Sequence, residues 1–312
     1  MKILVTGGAG FIGSQIAQAY LDGGHDVTIL DDLSTGRNRN VPAGSRLIHR
    51  DIREADLNVL FANSRFEIVN HHAAQIEVTH SVQDPSFDAS VNILGTLRLL
   101  QCCRVYGIRK FIFASSGGAI YGECERLAQE SDPPRPESPY GISKAAAEAY
   151  IRFYGRTHHL PYTILRYANV YGPRQDPKGE AGVISVFIRK LLADKAVTVY
   201  GTGHQERDYV FVGDVVAANL AALAKGENGT YNISTQTAVS VNTLVRKLST
   251  FRRLIQPPNH APARPGEIER SVLNASLALK QLGWRPTHSL EQGLEETWRY
   301  FEQSVPKEAV HG

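Results

Sequence analysis

Two parts of the sequence combine residue types and spacings that could do chemistry, and the first is a glycine-rich run. Thr6-Gly7-Gly8-Ala9-Gly10-Phe11-Ile12-Gly13 follows a short apolar segment and opens an amphipathic one. Such a Gly-x-Gly-x-x-Gly turn lets the backbone approach a pyrophosphate, which the N-terminus of the following helix attracts. Asp31 ends the next apolar segment, where an acid accepts hydrogen bonds from ribose hydroxyls and repels a 2′-phosphate. The pattern predicts a dinucleotide site that favours NAD over NADP.

The second part places Tyr140 four residues before Lys144, so that on a helix the two side chains share a face. An ammonium group nearby favours the phenolate and lowers the pKa of a tyrosine from about 10 towards neutrality. Such a tyrosine can remove a proton from a substrate hydroxyl while a hydride leaves the same carbon. Ser115 and Ser116 end a β-rich segment, where one hydroxyl could bond the reacting oxygen. We assign that bond to Ser116, and Ser115 could equally be a turn or cap residue.

The elements that must position these residues alternate between short β-rich segments and amphipathic helices such as Phe11–Leu21 and Val91–Val105. This alternation predicts an α/β fold with a doubly wound parallel sheet of Rossmann type over residues 1–168. We expect a smaller α/β substrate-binding region over 169–312, with a segment near 204–225 returning to the first domain. The predicted strands are Lys2–Thr6, Val27–Leu30, Arg46–His49, Ile68–His71, Lys110–Ala114 and Tyr162–Arg166.

The second half of the chain is less regular than the first. Four prolines between Gln256 and Gly266 predict an irregular segment. Ser289 is a candidate N-cap for the last predicted helix. The predicted helices here are Val183–Leu192, Val212–Ala224, Thr243–Leu248 and Leu290–Phe301.

Composition and charge set the class of protein. Of the 312 residues, 42% are hydrophobic and 21% charged, which excludes wholesale disorder. The net charge of only +3 gives no reason to expect nucleic acid as a partner. No run approaches the roughly 18 apolar residues that span a bilayer, so no membrane partner is expected. Three cysteines, two of them adjacent, predict neither a disulfide framework nor a metal site, and they favour a reducing, cytoplasmic compartment.

Further motifs along nearly the whole chain resemble those of the extended short-chain dehydrogenase/reductase family, and especially its UDP-glucose 4-epimerases and their relatives. Together they are highly specific for nucleotide-sugar enzymes. Besides the glycine-rich run and the Tyr140–Lys144 segment, they are Asp31-Asp32-Leu33-Ser34-Thr35-Gly36, Asp51-Ile52-Arg53, His72-Ala73-Ala74-Gln75, Ser81-Val82-Gln83-Asp84-Pro85, Asn92, Ser115-Ser116-Gly117-Gly118-Ala119-Ile120-Tyr121-Gly122, Arg166-Tyr167-Ala168-Asn169-Val170-Tyr171-Gly172-Pro173, Arg207-Asp208-Tyr209 and Arg264-Pro265-Gly266-Glu267.

The resemblance implies an activity and a mechanism. It implies an epimerase that keeps NAD bound, acts on a UDP-sugar and forms a homodimer through helices near Val91–Val105 and Ala145–Gly155. Tyr140, helped by Lys144, would deprotonate the 4-hydroxyl of the sugar while C4 gives its hydride to NAD. The 4-keto sugar would then turn over and take the hydride back on its opposite face. Ser116 is the third catalytic residue, although some relatives carry the hydroxyl at the position of Gly117.

The resemblance also implies which residues line the NAD site. Asp51 could instead be a helix N-cap, which is the common role of an acid before a helix. The implied residues are Gly7, Gly10, Phe11, Ile12, Gly13, Asp31, Asp32, Ser34, Thr35, Gly36, Asp51, Ile52, His72, Ala73, Ala74, Gln75, Asn92, Ser115, Tyr140, Lys144, Tyr167, Asn169 and Val170.

For the nucleotide sugar, the resemblance implies two arginines, Arg207 and Arg264, that grip the diphosphate, although either could instead form a surface ion pair. A small residue, Ser271, stands seven positions after Arg264, where a bulky side chain excludes N-acetylated sugars. We therefore expect UDP-N-acetylhexosamines to be accepted as well. The implied substrate residues are Ser116, Tyr140, Asn169, Val183, Ile184, Thr198, Tyr200, Arg207, Arg264 and Ser271.

Several other functions remain open at this point. Nucleotide-sugar 4,6-dehydratases carry an Asp-Glu pair, and UDP-glucuronate decarboxylases a glutamate, where this chain has Gly117-Gly118-Ala119. A UDP-glucuronate 4-epimerase needs only a pocket that tolerates a carboxylate, which Arg189 could meet. A non-catalytic NAD-binding sensor is a distant alternative, because such proteins tend to lose the Tyr-x-x-x-Lys pair. UDP is favoured over dTDP.

Overall fold

Short apolar runs form the strands at the centre of the first half of the chain. The computed structural model describes residues 1–54, 56–176, 182–254, 256–263 and 268–304. The runs Ile3–Val5 and Phe111–Ala114 are buried, as strands covered on both faces must be. The strands are β1 Lys2–Thr6, β2 Asp26–Asp31, β3 Arg46–His49, β4 Ile68–His71, β5 Lys110–Ser116, β6 Tyr162–Tyr167, β7 Asn169–Tyr171, β8 Thr198–Tyr200, β9 Glu206–Arg207, β10 Tyr209–Phe211, β11 Gly229–Ile233, β12 Val239–Ser240, β13 Asn259–Ala261 and β14 Arg270–Ser271.

The main sheet has the order β11-β6-β5-β4-β1-β2-β3, and each neighbouring pair is parallel. All six predicted strands are present, and the bounds of β1, β3 and β4 match the prediction. The seventh strand, β11, was not predicted. It pairs with β6 and so adds residues 229–233 to the sheet, beyond the segment near 204–225 that we expected to return.

Helices cover both faces of this sheet, which confirms the doubly wound prediction. One core includes Ile16 of α1 and Val215 of α9, and the other includes Leu99 of α5 and Ile151 of α7. The α-helices are α1 Phe11–Asp22, α2 Leu57–Ser64, α3 Val78–Gln83, α4 Pro85–Ala89, α5 Thr96–Val105, α6 Gly117–Ile120, α7 Pro139–His158, α8 Val183–Leu192, α9 Val212–Ala224, α10 Val241–Leu248, α11 Ser276–Leu282 and α12 Leu290–Ser304, and Asn38–Asn40 form a 3₁₀ turn.

The helix predicted over Val91–Val105 begins as a π-helix. Ser90–Gly95 has π geometry and continues into α5. A Cβ at Gly95 would lie 2.4 Å from Cδ1 of Ile52, so glycine lets the turn pack against that side chain without a shift. Single π turns often mark functional sites in helices, and this one presents the side chain of Asn92 to the candidate site.

The second half of the chain forms three small sheets and its own core. β10 pairs with β7, β13 with β8, and β9 lies between β12 and β14. The prediction that 256–266 is wholly irregular is wrong, because Asn259–Ala261 pairs with β8 in parallel. Ser289 accepts a hydrogen bond from the backbone of Gln292, as predicted for an N-cap. Within the described ranges, no helix is long and apolar enough to cross a bilayer.

Candidate active site

Many of the predicted site residues lie at the carboxyl ends of β1, β2, β4, β5 and β6, where open parallel sheets bind ligands. Thr6 lies opposite His71 in neighbouring strands, and Ser116 lies opposite Tyr167. The glycine-rich loop, the segment after β4 and the end of β5 therefore share one edge of the sheet. This edge is the floor of the candidate site.

The glycine-rich loop forms a cradle for an anion. Gly7 has a φ of +68°, and a Cβ there would lie 2.6 Å from the backbone nitrogen of Ala73. Gly10 precedes α1, whose N-terminus has no side-chain cap among the described residues. Phe11, Ile12 and Gly13 form the first turn of that helix, so their N–H groups face the loop side without intrahelical partners. These features fit a dinucleotide pyrophosphate.

Asp31 is held firmly at the end of β2. It is 6% exposed, and its carboxylate accepts hydrogen bonds from the backbone of Ala9 at 2.9 Å and Leu33 at 2.8 Å. Burial raises the pKa of Asp31, and the two backbone bonds oppose that rise. Each carboxylate oxygen has a second lone pair, so the group can still accept from ribose hydroxyls.

The residues that follow Asp31 form an exposed turn. Asp32 accepts hydrogen bonds from both the backbone and the hydroxyl of Ser34, at 2.9 Å and 2.6 Å. Thr35 is exposed, and Gly36 packs against the Asp31 carboxylate. The turn thus borders the acid that was predicted to meet the ribose.

Asp51 is not a helix N-cap. Its carboxylate accepts hydrogen bonds from the backbone and the guanidinium of Arg53, and Asp56 instead caps α2. Burial raises the pKa of Asp51, but the bonds from Arg53 outweigh that effect and hold it below its ordinary value. Ile52 beside it is buried against Gly95.

The segment after β4 is fixed by its backbone and by Asn92. The backbone of Ala73 donates to the hydroxyl of Thr6 at 3.2 Å, and Ala74 continues the loop. Asn92 accepts from the backbone of Gln75 and donates to its carbonyl, both at 2.9 Å. The π turn that carries Asn92 therefore holds this loop in place.

The imidazole of His72 contacts the hydroxyl of a neighbouring tyrosine. Its Nε2 lies 3.1 Å from the hydroxyl of Tyr167, which also accepts a hydrogen bond from Asn219 at 2.9 Å. Burial and the charge of Lys144 lower the pKa of His72 to about 3. The imidazole is therefore neutral at physiological pH, as a packing role predicts.

Ser116, Tyr140 and Lys144 converge at the end of β5. The Ser116 hydroxyl is close enough to the phenol of Tyr140 to lower its pKa, and the Lys144 ammonium lies 5.9 Å from the centre of the phenol ring. That ammonium is 4% exposed and donates to the carbonyl of Ala114 at 2.9 Å. Burial lowers the pKa of Lys144 to about 8. The hydroxyl, phenol and ammonium form a polar cluster at this sheet edge.

The pKa of the Tyr140 phenol is raised, whereas we expected the nearby Lys144 ammonium to lower it. Burial, aided by the charge of Asp88, raises the pKa of Tyr140 to about 12, and the nearby hydroxyl of Ser116 only partly offsets this. The phenol is therefore neutral in the ligand-free protein. An added positive charge beside it would favour the phenolate.

Ser115 faces away from this cluster. Its hydroxyl donates to Glu148 at 2.7 Å, and Glu148 also receives two hydrogen bonds from Arg166, at 2.8 Å and 2.6 Å. Arg166 is 2% exposed and Glu148 is fully buried. Arg152 adds a second cation to the carboxylate at 2.6 Å. The buried pair ties α7 to β6 directly behind the Tyr140–Lys144 pair.

The small sheets bring part of the predicted substrate set towards this cluster. Asn169 begins β7 beside Val170, and its side-chain oxygen lies 3.5 Å from where a Cβ of Gly118 would stand. Arg207 of β9 lies opposite Ser271 of β14, which is 3% exposed. An amide, a guanidinium and a small residue therefore come from two neighbouring small sheets.

The remaining predicted substrate residues are spread more widely. Val183 and Ile184 begin α8, and the Ile184 side chain is buried in the local core, which leaves only its backbone for a ligand. Thr198 accepts a hydrogen bond from Lys190, and Tyr200 is 38% exposed. Arg264 lies outside the described residues.

Three buried charged residues of the site were not predicted to have a role. Glu148 follows Lys144 by four residues, so helical spacing alone could have identified it. Arg166 lies in a quoted motif, but its partner comes from another element. Asp88 has no motif of its own. Among the described residues, no group of three or more His, Cys, Asp or Glu side chains could hold a metal ion.

The chain is similar to known proteins over nearly its full length. A model of the "NAD dependent epimerase/dehydratase family" matches residues 3–234. A crystal structure of Thermotoga maritima UDP-glucose 4-epimerase with UDP-glucose has 44% identity and a TM-score of 0.96, covering 97% of this chain and 99% of its own. Thermus thermophilus UDP-glucose 4-epimerase in complex with NAD has 44% identity and a TM-score of 0.92, covering 98% and 100%. UDP-glucose 4-epimerase of Mycolicibacterium smegmatis is 41% identical, covering 96% and 98%.

Proposed function

Because this chain belongs to the NAD-dependent epimerase/dehydratase family, we propose that it interconverts the 4-epimers of a UDP-hexose and uses bound NAD as its hydride carrier. The family predicted from the motifs is confirmed. The observation that carries the proposal is the phenol of Tyr140 beside the buried ammonium of Lys144, at the sheet edge that also carries Ser116 and the glycine-rich cradle.

The cradle residues would hold the cofactor. The first turn of α1 suits the pyrophosphate, and the Asp31 carboxylate suits the adenosine ribose, which supports NAD over NADP. When bound, NAD would accept a hydride from C4 of the sugar and return it to either face. Lys144 has one donor engaged by Ala114, so its other two can meet hydroxyls in the cleft.

Tyr140 supplies the acid–base chemistry in this proposal. Its phenolate would take the proton from the 4-hydroxyl as C4 is oxidised, and its phenol would return that proton as the 4-keto sugar is reduced. Ser116 would bond the same oxygen, while Lys144 would stabilise the phenolate through its positive charge. Ser115 has no part in this step, because its hydroxyl is taken by Glu148.

The small sheets would hold the nucleotide sugar. Asn169 faces Gly118 of α6, which directly follows Ser116, and Arg207 offers a planar guanidinium suited to phosphate oxygens. Ser271, in the strand beside Arg207, is small, which is the residue type that acceptance of an N-acetyl group would require. These placements support a UDP-hexose site that also takes UDP-N-acetylhexosamines. A glucuronate site gains little support from Arg189, which is exposed on α8.

A homodimer in a reducing cytoplasm completes the proposal. Exposed apolar side chains lie along α7 and the neighbouring π turn and α5, where the resemblance implies the partner helices pack. Light scattering should therefore give twice the chain mass. The three cysteines are unpaired, which supports the reducing compartment. The exposed side chains are Leu94, Val105, Ile142, Tyr150 and Phe153.

A product assay tests the proposed function. Purified protein is given UDP-galactose, UDP-N-acetylgalactosamine or UDP-glucuronate without added NAD, and the 4-epimers are separated by chromatography. We expect the two UDP-hexoses to be converted and the glucuronate to be converted slowly or not at all. No conversion of any of the three, even with added NAD, would overturn the proposal and favour a dTDP-sugar or a dehydration reaction.

A further inference from the structure

Asp88 is a buried carboxylate beside the catalytic cluster that the proposed mechanism does not use. It lies in the short helix α4 and is 1% exposed. Its Oδ1 accepts hydrogen bonds from the side-chain amides of Gln75 at 2.9 Å and Asn92 at 3.0 Å. Its Oδ2 is buried and has no hydrogen-bond partner among the described residues. A carboxylate buried in this state costs folding free energy, so it calls for a functional explanation.

The amides on Oδ1 connect Asp88 to the helix that carries the catalytic pair. The Asn92 amide group also donates to the hydroxyl of Ser143 at 3.2 Å, and that hydroxyl donates to the carbonyl of Tyr140 at 3.0 Å. A chain of hydrogen bonds therefore runs from Asp88 through Asn92 into the first turn of α7. Asp88 is thus fixed relative to Tyr140 and Lys144.

The two buried carboxylates near Lys144 differ in how their charge is compensated. Glu148 is bonded by two guanidinium groups, those of Arg166 and Arg152. Asp88 is bonded only by neutral amides, and no cation pairs with it in the part of the chain that the structure describes. The field of Glu148 is therefore largely cancelled, whereas that of Asp88 reaches the ammonium uncompensated.

This field acts on both members of the catalytic pair. Burial lowers the pKa of Lys144, and the charge of Asp88 is the largest effect that opposes it, ahead of Glu148. The same charge raises the pKa of Tyr140. The other titratable groups that face the ammonium are His71 and His72, which are buried and neutral.

We propose that Asp88 is a positioning residue that acts as the buried counter-charge of the Lys144 ammonium and thereby sets the pH range over which the Tyr140–Lys144 pair works. The proposal rests on the proposed function only in taking those two residues as the catalytic pair. Asp88 touches neither substrate nor reacting atoms in this role. It acts at a distance, through charge.

Asp88→Asn removes the charge and keeps the hydrogen bonds, because the amide oxygen of asparagine can still accept from Gln75 and Asn92. We expect both limbs of the kcat–pH profile to move to lower pH by about one unit, since a buried charge of this kind shifts neighbouring pKa values by roughly that amount or more. With NAD bound, whose positive charge favours the phenolate, the acid limb would report the phenol and the alkaline limb the ammonium. C4-deuterated substrate would verify that hydride transfer limits the rate.

Asp84→Asn is the matched control. Asp84 lies in the same segment, caps α4 and is exposed, and asparagine caps a helix as well as aspartate does. It removes the same charge from a solvent-screened position, so the profile should not move. Asp88→Glu, which restores the charge, should return the limbs towards those of the unmodified protein even if its rate is lower.

If Asp88→Asn lowers kcat but leaves both limbs of the kcat–pH profile at their original pH, the proposal is wrong. A residue that only supports the structure would lower kcat at every pH without shifting the limbs. If that variant does not fold, Asp88→Ser, which leaves room for water at the amides, must show the same shift of both limbs to lower pH.

A phenolate absorbance titration, referenced to Tyr140→Phe, measures the Tyr140 pKa without any substrate. A lower Tyr140 pKa in Asp88→Asn is expected, and an unchanged one would refute the inference even if the proposed function itself failed.

Discussion

The candidate site has two sides that are built differently. The sheet side consists of the carboxyl ends of the main-sheet strands with α7, and the small-sheet side consists of β7, β8, β9 and β14. Lys144, Glu148 and Arg166 are each no more than 4% exposed and are held by several hydrogen bonds behind seven parallel strands. Asn169 and Tyr200, by contrast, are exposed on strands of three residues. In the proposed function, the reaction chemistry thus belongs to the buried layer, whereas substrate choice belongs to short strands and loops that can change without disturbing it.

The largest effect on activity should come from a substitution of Tyr140 on the sheet side. Tyr140→Phe removes only the hydroxyl, so we expect kcat to fall about 10³-fold or more, as is typical for loss of a general base. Bound NAD, measured after denaturing the purified protein, and the unfolding temperature should stay the same. Loss of NAD together with activity would show that Tyr140 holds the cofactor instead of moving the proton.

The buried pair behind the site should matter next, through stability. Arg166→Met removes the buried cation of Glu148 and leaves only the partly exposed Arg152 beside the carboxylate, and breaking such a buried pair costs up to about 3–5 kcal/mol of unfolding free energy. Denaturant unfolding measures this loss. The control is Arg109→Met, which breaks the exposed pair with Glu67 and should cost about 1 kcal/mol or less. Equal losses in the two variants would contradict the difference between buried and exposed regions.

A substitution on the small-sheet side should change the choice between substrates more than the rate of conversion. Ser271→Tyr places a bulky side chain in the strand beside Arg207, so conversion of UDP-N-acetylgalactosamine should fall at least about 10-fold while that of UDP-galactose is retained. The ratio of the two kcat/KM values is the measurement. Ser271 is buried, so the unfolding temperature of the variant must be checked as well. An equal fall with both substrates would sink the specificity hypothesis.

The smallest expected effect is on the pH dependence of stability, and it comes from His71 on the sheet side. Burial, aided by the charge of Lys144, lowers the pKa of His71 well below 6.5, and its imidazole contacts the hydroxyls of Thr6 and Thr96. The unfolded chain therefore binds a proton near pH 6.5 that the folded chain does not, so stability is full above that pH and is lost as the pH falls below it.

His71→Gln keeps a polar group at this position and removes the titration. Between pH 6.5 and 5 we expect its unfolding free energy to fall less steeply than that of the unmodified protein, by up to about 1.4 kcal/mol per pH unit. Denaturant unfolding at several pH values gives both slopes. Parallel slopes would mean that His71 titrates normally in the folded protein.

The sheet side could be predicted from the sequence largely because its signals are local. β1, β3 and β4 are apolar runs between turn residues, and the glycine-rich loop carries its function in consecutive positions. β11 was missed because Gly229–Ile233 mixes apolar and polar residues and its partner β6 lies more than 60 residues earlier. The short β13 was missed because flanking prolines indicate a loop, although an edge strand with one neighbour tolerates them.

The electrostatics of the site could not be predicted from spacing. The four-residue step from Tyr140 to Lys144 places both on one helix face, but the pKa of the phenol depends on burial and on Asp88, which comes from a different helix. The role of Ser115 depends in the same way on Glu148 and Arg166. These contacts join residues that are distant in sequence, and only the fold brings them together.

The central claim is that the hydride removed from C4 returns to the same sugar, and an isotope experiment tests it most directly. UDP-galactose carrying deuterium at C4 is incubated with the purified protein in ordinary water without added NAD, and the UDP-glucose formed is examined by mass spectrometry. The account predicts that the product keeps its deuterium at C4, because the isotope passes only between the sugar and the bound carrier. Loss of the deuterium to water would show that C4 loses a proton instead of a hydride, which would contradict the account.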